Sequence, residues 1–232
     1  MDLTALETLN PEFKFFTQNM PDYVKQHYFI RQYQIGDIIH LKTETLNYLG
    51  ILLSGKTRVI NEFENGNVYM LETNNALDYI GEVTLLAKQN STSVTIEAAS
   101  ACLVFCVPRK YAEQWIFSDV AILTKLAQQV AHKLYRRSLD IGMKLFYPAE
   151  FIFVDYLIKE CAQNHISEIK TFKINKTRTF ISEEIGMNIK TLNQVITNLK
   201  PKALFHLEKG KLVLTYQNFT NAIQYLESSK AL

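Results

Sequence analysis

The sequence predicts an α+β chain in three parts: an N-terminal cupin-like double-stranded β-roll, a long helix suited to dimerisation, and a C-terminal winged helix-turn-helix. Three observations predict it. Short apolar stretches separated by turn glycines fill residues 31–107. After Pro108, apolar residues recur at alternating spacings of four and three. Further on, a glycine sits between two short helical patterns, with a hairpin pattern behind them. The corresponding domains are 1–107, 108–147 and 148–232.

The β-roll is read from DIIHL, YLGILL, TRVINEF, NVYMLET, SVTIEA and ACLVFCV, with Gly36, Gly50, Gly55, Gly66 and Gly81 in or beside the breaks. Several short strands with evenly placed turns indicate a sandwich, roll or barrel. ENGN at 64–67 signals a hairpin, because Asn-Gly supplies the positive φ of a two-residue turn. The preceding segment, Asn10 to Phe29, reads as short helices capping one end. Cys102 and Cys106 share one face of the last strand and are expected in the core. With Cys161 they make three cysteines, too few and too sparse for a disulfide framework or a metal site. Whether Cys102 and Cys106 answer to redox state stays open at this point.

In the second part Ile116, Val120, Leu123, Ala127, Val130 and Leu134 form a heptad-like seam. Such a narrow stripe suits a parallel dimer better than a globular face. Ser118 or Asp119 is the natural N-cap. Gly142 to Pro148 is the expected hinge, and Pro148 is placed at the first turn of the next helix.

The third part carries the strongest local motif, beginning at Arg178. Ile181, Ile185, Leu192 and Val195 stand where two crossing helices meet, Ser182 is the small residue at the crossing, and Gly186 is the positive-φ turn residue. Thr177 and Asn188 can cap the two helices. An ordinary helical hairpin shares the apolar pattern but does not require the glycine, the small residue and both caps together. ALFHLEKGKLVLT then reads as a two-stranded wing turning at Lys209-Gly210. In such a motif the second helix enters the major groove. Its outward residues are Asn188, Ile189, Lys190, Asn193, Gln194 and Thr197. Asn and Gln pair with adenine, and the helix lacks arginine, so an A·T-rich half-site is expected. Thr177, Arg178, Thr191, Lys200, Lys202, Lys209 and Lys211 are candidate phosphate contacts.

Charge supports this division. The whole chain carries a formal net charge of only +2, but residues 165–217 hold nine Lys/Arg against four Asp/Glu. A basic rear behind a near-neutral front suits a polyanion partner. No apolar run is long enough to span a membrane, and MDLTALETLNPEFKFF lacks a signal pattern, so a cytoplasmic protein without membrane contact is expected. The five histidines form no His-x-His pair, and no nucleophile–base spacing is evident. Neither catalysis nor a metal or cofactor is expected.

The order of roll, seam helix and winged helix-turn-helix resembles the CRP/FNR superfamily of bacterial transcription regulators. IGD at 35–37, ILLSGKTRVI at 51–60, ENGN at 64–67, IGEVTLL at 80–86 and the helix-turn-helix carry the resemblance. It implies a homodimer on a two-fold symmetric double-stranded DNA operator, the roll as sensor, and RNA polymerase as a partner. It also marks an effector pocket at Gly81, Glu82, Thr92 and Ser93. In cyclic-nucleotide-binding members an arginine for the cyclic phosphate stands where Thr92 stands here. Thr92 cannot make that bidentate, charge-assisted contact. The long helix offers no cation beyond Lys125 and Lys133 to substitute easily. The pocket is therefore expected to be altered or vestigial, cAMP is not the expected effector, and any effector is unidentified. The seam of the implied dimer is Val120, Leu123, Ala127, Val130 and Leu134. A competing reading is a small-molecule-binding module of the cyclic-nucleotide class that acts through protein partners.

Overall fold

The computed structural model describes residues 2–167 and 171–230, apart from the side chains of residues 139–141, 143, 144, 229 and 230. The helices described are α1 (Leu3–Leu9), α2 (Lys14–Thr17), α3 (Asp22–Lys25), α4 (Glu82–Leu86), α5 (Arg109–Ser118), α6 (Val120–Phe146), α7 (Ala149–Gln163), α8 (Arg178–Ile185), α9 (Ile189–Leu199) and α10 (Tyr216–Lys230). The strands are β1 (Phe29–Tyr33), β2 (Ile38–His40), β3 (Tyr48–Ser54), β4 (Lys56–Glu62), β5 (Val68–Asn75), β6 (Tyr79–Ile80), β7 (Thr95–Ala98), β8 (Cys102–Pro108), β9 (Phe172–Ile174), β10 (His206–Glu208) and β11 (Lys211–Leu214). The chain divides into two compact units, Met1–Arg136 and Arg137–Leu232.

The first unit is built on two antiparallel sheets, ordered β1-β8-β3-β6 and β2-β7-β4-β5. Strands β3 and β8 are buried on both faces, which is why they read as unbroken apolar runs. Their side chains alternate between two cores. Leu49, Ile51, Leu53, Leu103, Phe105 and Val107 meet the helices. Tyr48, Leu52, Cys102, Val104 and Cys106 face the opposite sheet. The two cysteines are thus core side chains with free thiols. Burial pushes the Cys106 thiol up to about 12, away from thiolate reactivity.

The helix-side core gathers Phe13, Phe16, Trp115 and Ile116 with Ile122 and Leu126 of α6. Ile116 lies on α5, fully buried, so it is not part of the seam. The helix breaks at Asp119, whose Oδ1 accepts hydrogen bonds from Ala121 N (2.9 Å) and Ile122 N (3.2 Å) and caps α6. The heptad stripe of α6 itself starts at Val120.

Three other details differ from the sequence expectation. The 64–67 hairpin turns over three residues, because Phe63 and Asn67 still pair and only Gly66 has positive φ. Gly142 is helical: α6 runs on to Phe146, and Pro148 precedes α7 at its N-cap. The strands β1, β6 and β9 lie outside the stretches that the sequence marks as strands. They are short, and β6 exists only through pairing of Tyr79 and Ile80 with Ile51 and Gly50.

The second unit packs α7 against α8, α9 and α10, closed by the sheet β10-β11-β9. Phe151, Phe153, Leu157, Leu192, Leu199 and Phe205 lie in its core. Lys176 is held between Glu160 (2.6 Å) and Glu184 (2.8 Å), and the Tyr156 hydroxyl donates to Glu184 (3.0 Å).

Phe105 is fully buried between Phe13 and Tyr28, with ring centroids 5.0 and 4.9 Å away. Phe105→Ala should cost about 3–5 kcal/mol, read as a lower urea midpoint for the first unit.

Candidate nucleic-acid interface and effector pocket

The helix-turn-helix forms because each local demand is met. Thr177 caps α8 by accepting from Phe180 N at 3.1 Å. Asn188 caps α9 by accepting from Thr191 N at 2.9 Å. Between them Gly186 adopts φ 67°, ψ 39°, a conformation that other residues reach only with strain. Ile181, Ile185, Leu192, Val195 and Ser182 are all buried at the crossing. The opposite face of α9 is left to solvent: Ile189, Lys190, Asn193, Gln194 and Thr197 are exposed.

Side-chain contacts sort these residues. Gln194 donates to Asn198 (2.9 Å), and Thr197 donates back to the Asn193 carbonyl (2.9 Å). Asn188 is exposed, yet its carbonyl oxygen is committed to the cap. Thr191 is half-buried behind it. Lys200 and Lys202 follow α9 in a short 3-10 turn and are exposed. Lys202 also leans over the Tyr225 ring at 4.6 Å.

The wing turns at Lys209 and Gly210, both with positive φ, as a two-residue hairpin requires. Lys211 Nζ is tied to the carbonyls of Asn175 and Lys176, each at 3.0 Å, so it braces the wing rather than facing outward. Arg178 donates from Nη2 to the Gly210 carbonyl (3.2 Å), while its Nη1 is buried with no hydrogen-bond partner among the described residues. Thr177, Arg178, Lys209 and Lys211 share the rim of a cavity of about 180 Å³.

In the first unit, Gly81 has φ 90° and begins α4, and a Cβ there would stand 2.5 Å from Leu46 Cδ1. Glu82 follows it and is buried, 4% exposed. Its partner is Lys133 on α6, whose Nζ lies 2.9 Å from Glu82, 3.0 Å from Asp78 and 3.4 Å from Glu72. Gln129, one turn earlier, donates to Asp78 at 3.2 Å, and Arg136 lies 3.6 Å from Glu72. Burial alone would lower the Lys133 pKa; Glu82, Asp78 and Glu72 outweigh it and hold the ammonium charged. Burial also pushes the Glu82 carboxyl up, against the pull of Lys133.

Thr92 is buried too, but it faces the chain. Its hydroxyl donates to the Leu41 carbonyl (2.8 Å), its N–H to Glu44, and its carbonyl accepts from Thr43 N. Ser93 is exposed. The four pocket residues are therefore split. Gly81 and Glu82 shape the turn, Thr92 staples two loops, and Ser93 faces solvent. Lys125, the other candidate cation, sits over the Phe15 ring at 4.5 Å.

Residues 30–119 match the sequence model of the cyclic nucleotide-binding domain family. The chain is 26% identical over 176 residues to the cAMP-activated global transcriptional regulator CRP of Salmonella typhimurium, covering 75% of this chain and 82% of that one. Sequence and fold together make the chain similar to regulators of the CRP/FNR superfamily. Two solved structures have the same fold. One is CLP, the c-di-GMP-responsive global regulator of Xanthomonas campestris, with a TM-score of 0.72 at 15% identity over 82% of this chain and 95% of that one. The other is a CRP/FNR-family transcriptional regulator from Thermus thermophilus, with a TM-score of 0.67 at 18% identity over 86% and 98%.

Sequence reasoning missed the partner of Glu82. A signal was present. Ile122, Leu126, Gln129 and Lys133 repeat the 4-3-4 spacing of the seam on a second stripe, which turns from apolar to polar where it meets the Gly-Glu turn. His40, the histidine nearest the roll interior, stacks on Tyr48 at 4.7 Å, and burial pushes its pKa down. Among the described residues no group of three or more His, Cys, Asp or Glu could hold a metal ion.

The Asn188 cap positions the start of α9. Asn188→Ala should destabilise the second unit by about 1 kcal/mol in urea unfolding, without changing the first unit's transition.

Proposed function

We propose that the chain is a homodimeric, sequence-specific DNA-binding transcription regulator that does not depend on cAMP. The observation that carries the reading is the exposed face of α9, held in place by two side-chain caps and a glycine turn beside a hairpin wing. Asn193 and Gln194 stand on that face with donor–acceptor amides of the kind that read adenine, and Lys190 can reach guanine. Ile189 offers an apolar contact for a thymine methyl. Lys200, Lys202 and Thr177 surround it as phosphate contacts. The buried, unpaired Nη1 of Arg178 at the wing is a donor that a phosphate oxygen would satisfy. Asn188 and Thr191 serve the helix start, and any contact they make with DNA is to the backbone.

Two further observations support the rest of the reading. Val120 is 78% exposed and Leu134 68%, with Ala127 exposed and Leu123 and Val130 half-buried between them. An apolar stripe at heptad spacing left uncovered on a long helix is what a parallel partner helix would bury. A two-fold dimer then reads a two-fold operator, A·T-rich by the side chains of α9. RNA polymerase is the downstream partner such a regulator addresses. As for cAMP, its cyclic phosphate is an anion. Three carboxylates surround the Gly-Glu turn, and Thr92 spends its hydroxyl on a backbone carbonyl.

Duplexes selected by the wild-type chain from a randomised pool provide the operator. The Asn193→Ala/Gln194→Ala variant should lose preference for the selected sequence, about 1–3 kcal/mol per reading residue, and keep its salt-sensitive background binding. Unchanged preference would remove α9 as the reader. cAMP should leave the wild-type affinity unaltered.

The seam is tested separately. Val120→Glu/Leu134→Glu should sediment as a monomer and bind the full operator at least about a hundredfold more weakly, because the half-sites lose their linkage.

A further inference from the structure

The Gly-Glu turn of the roll already has an occupant. We propose that Lys133 is a resident cation: the ammonium of the chain's own α6 takes the anchoring carboxylate of the roll, so that the link between sensor and seam helix is permanent and operator binding needs no effector. The functional part rests on the DNA-binding reading above; the tether itself rests on geometry alone.

The geometry has three parts. First, one side chain ties three separate segments of the roll to α6: Glu72 on β5, Asp78 before β6, and Glu82 at the start of α4, at 3.4, 3.0 and 2.9 Å. Second, the site is closed. The side chains of Lys133, Glu82, Asp78 and Glu72 are 7, 5, 10 and 12% exposed, so the pairing takes place in a low-dielectric setting where an unpaired charge is costly. Third, the neighbours on α6 complete the set. Gln129 serves Asp78 and Arg136 serves Glu72. Glu82 therefore depends on Lys133 more than the other two carboxylates do.

The charge balance says what the site takes. Three carboxylates meet two cations, leaving the cluster net negative even when full. An anionic ligand would have to displace Lys133 and then face all three carboxylates, while Thr92 points away to Leu41. A primary ammonium is the group that fits, and α6 supplies it. Because Val120 and Leu134 lie about a third of a turn round the same helix, the tether also sets which face of α6 is offered to a second copy.

The test uses the full-length chain. Lys133→Met removes the cation. Lys133→Met/Glu82→Gln also removes the carboxylate that would be stranded, leaving Asp78 with Gln129 and Glu72 with Arg136, so a folded protein without the tether is obtained. Amide hydrogen exchange is followed at residues 79–86 and 122–136, and affinity is measured for the duplex selected by the wild-type chain, with and without cAMP. The double variant is expected to exchange at least about tenfold faster in both segments. It should also bind the duplex at least about tenfold more weakly at a temperature well below its unfolding transition. A variant with a lowered unfolding temperature but wild-type affinity would reduce Lys133 to a structural ion pair and overturn the proposal. So would a wild-type chain whose affinity or exchange protection rises with cAMP. If the wild-type chain selects no duplex, the DNA-binding reading fails by itself. The exchange arm then decides the tether, and wild-type exchange in the double variant would overturn it.

Discussion

Helix α6 has to satisfy two surfaces at once, and most of the molecule's organisation follows from that. One stripe, Ile122, Leu126, Gln129 and Lys133, turns toward the roll. Another, Val120, Ala127, Val130 and Leu134, turns away, with Leu123 between the two and packed against the helix-side core. Both alternate spacings of three and four, and they lie about a third of a turn apart. The first stripe begins in the helix-side core, where burial of Ile122 and Leu126 fixes the helix by the hydrophobic effect. It ends in a closed polar site, where an ammonium cannot remain without carboxylates. The apolar end gives adhesion with little directional demand; the ionic end adds register, because only one rotation of the helix brings Lys133 to Glu82.

That register connects the roll to the exposed heptad stripe of α6. A helix held by its inner stripe presents a defined outer stripe, and the outer stripe is the surface proposed for the second copy. In the roll, the segments that meet Lys133 are the end of β5, the approach to β6 and the Gly-Glu turn. At that turn Gly81 takes positive φ and Glu82 is buried, with the Lys133 ammonium beside it.

In the second unit the same economy of local rules operates at smaller scale. Two caps, one glycine and one buried serine suffice to set α9 against α8, because each satisfies a backbone or steric demand that no neighbour could meet. The polar cluster of Lys176, Glu160, Glu184 and Tyr156 lies behind them, inside the fold and off the reading face. Its carboxylates are consumed by the lysine, so they do not oppose a polyanion at the surface.

Much of this was legible in the chain itself. Local rules made the helix-turn-helix readable: Thr177, Asn188, Gly186 and Ser182 act on groups within a few residues of themselves, so spacing alone is enough. The two-faced burial of β3 and β8 was visible as unbroken apolar runs, and the α6 seam as a heptad. Strands β1, β6 and β9 were not readable, because pairing partners far along the chain define them. The assignment of Ile116 to the seam failed because one bend at Asp119 moves it onto another helix. The absence of an arginine was visible, since Thr92 stands at the position where the resemblance calls for one. The partner of Glu82 was not, since Glu82 and Lys133 are 51 residues apart and a lysine on a helix is solvated unless tertiary packing buries it. What the sequence by itself determined is every feature whose energetics are local: turns, caps, periodicities and the residues on the exposed face of α9. What only the tertiary structure decided is which buried charge meets which, because a charge pair is chosen by distance through space and by the removal of water, neither of which is written in sequence separation.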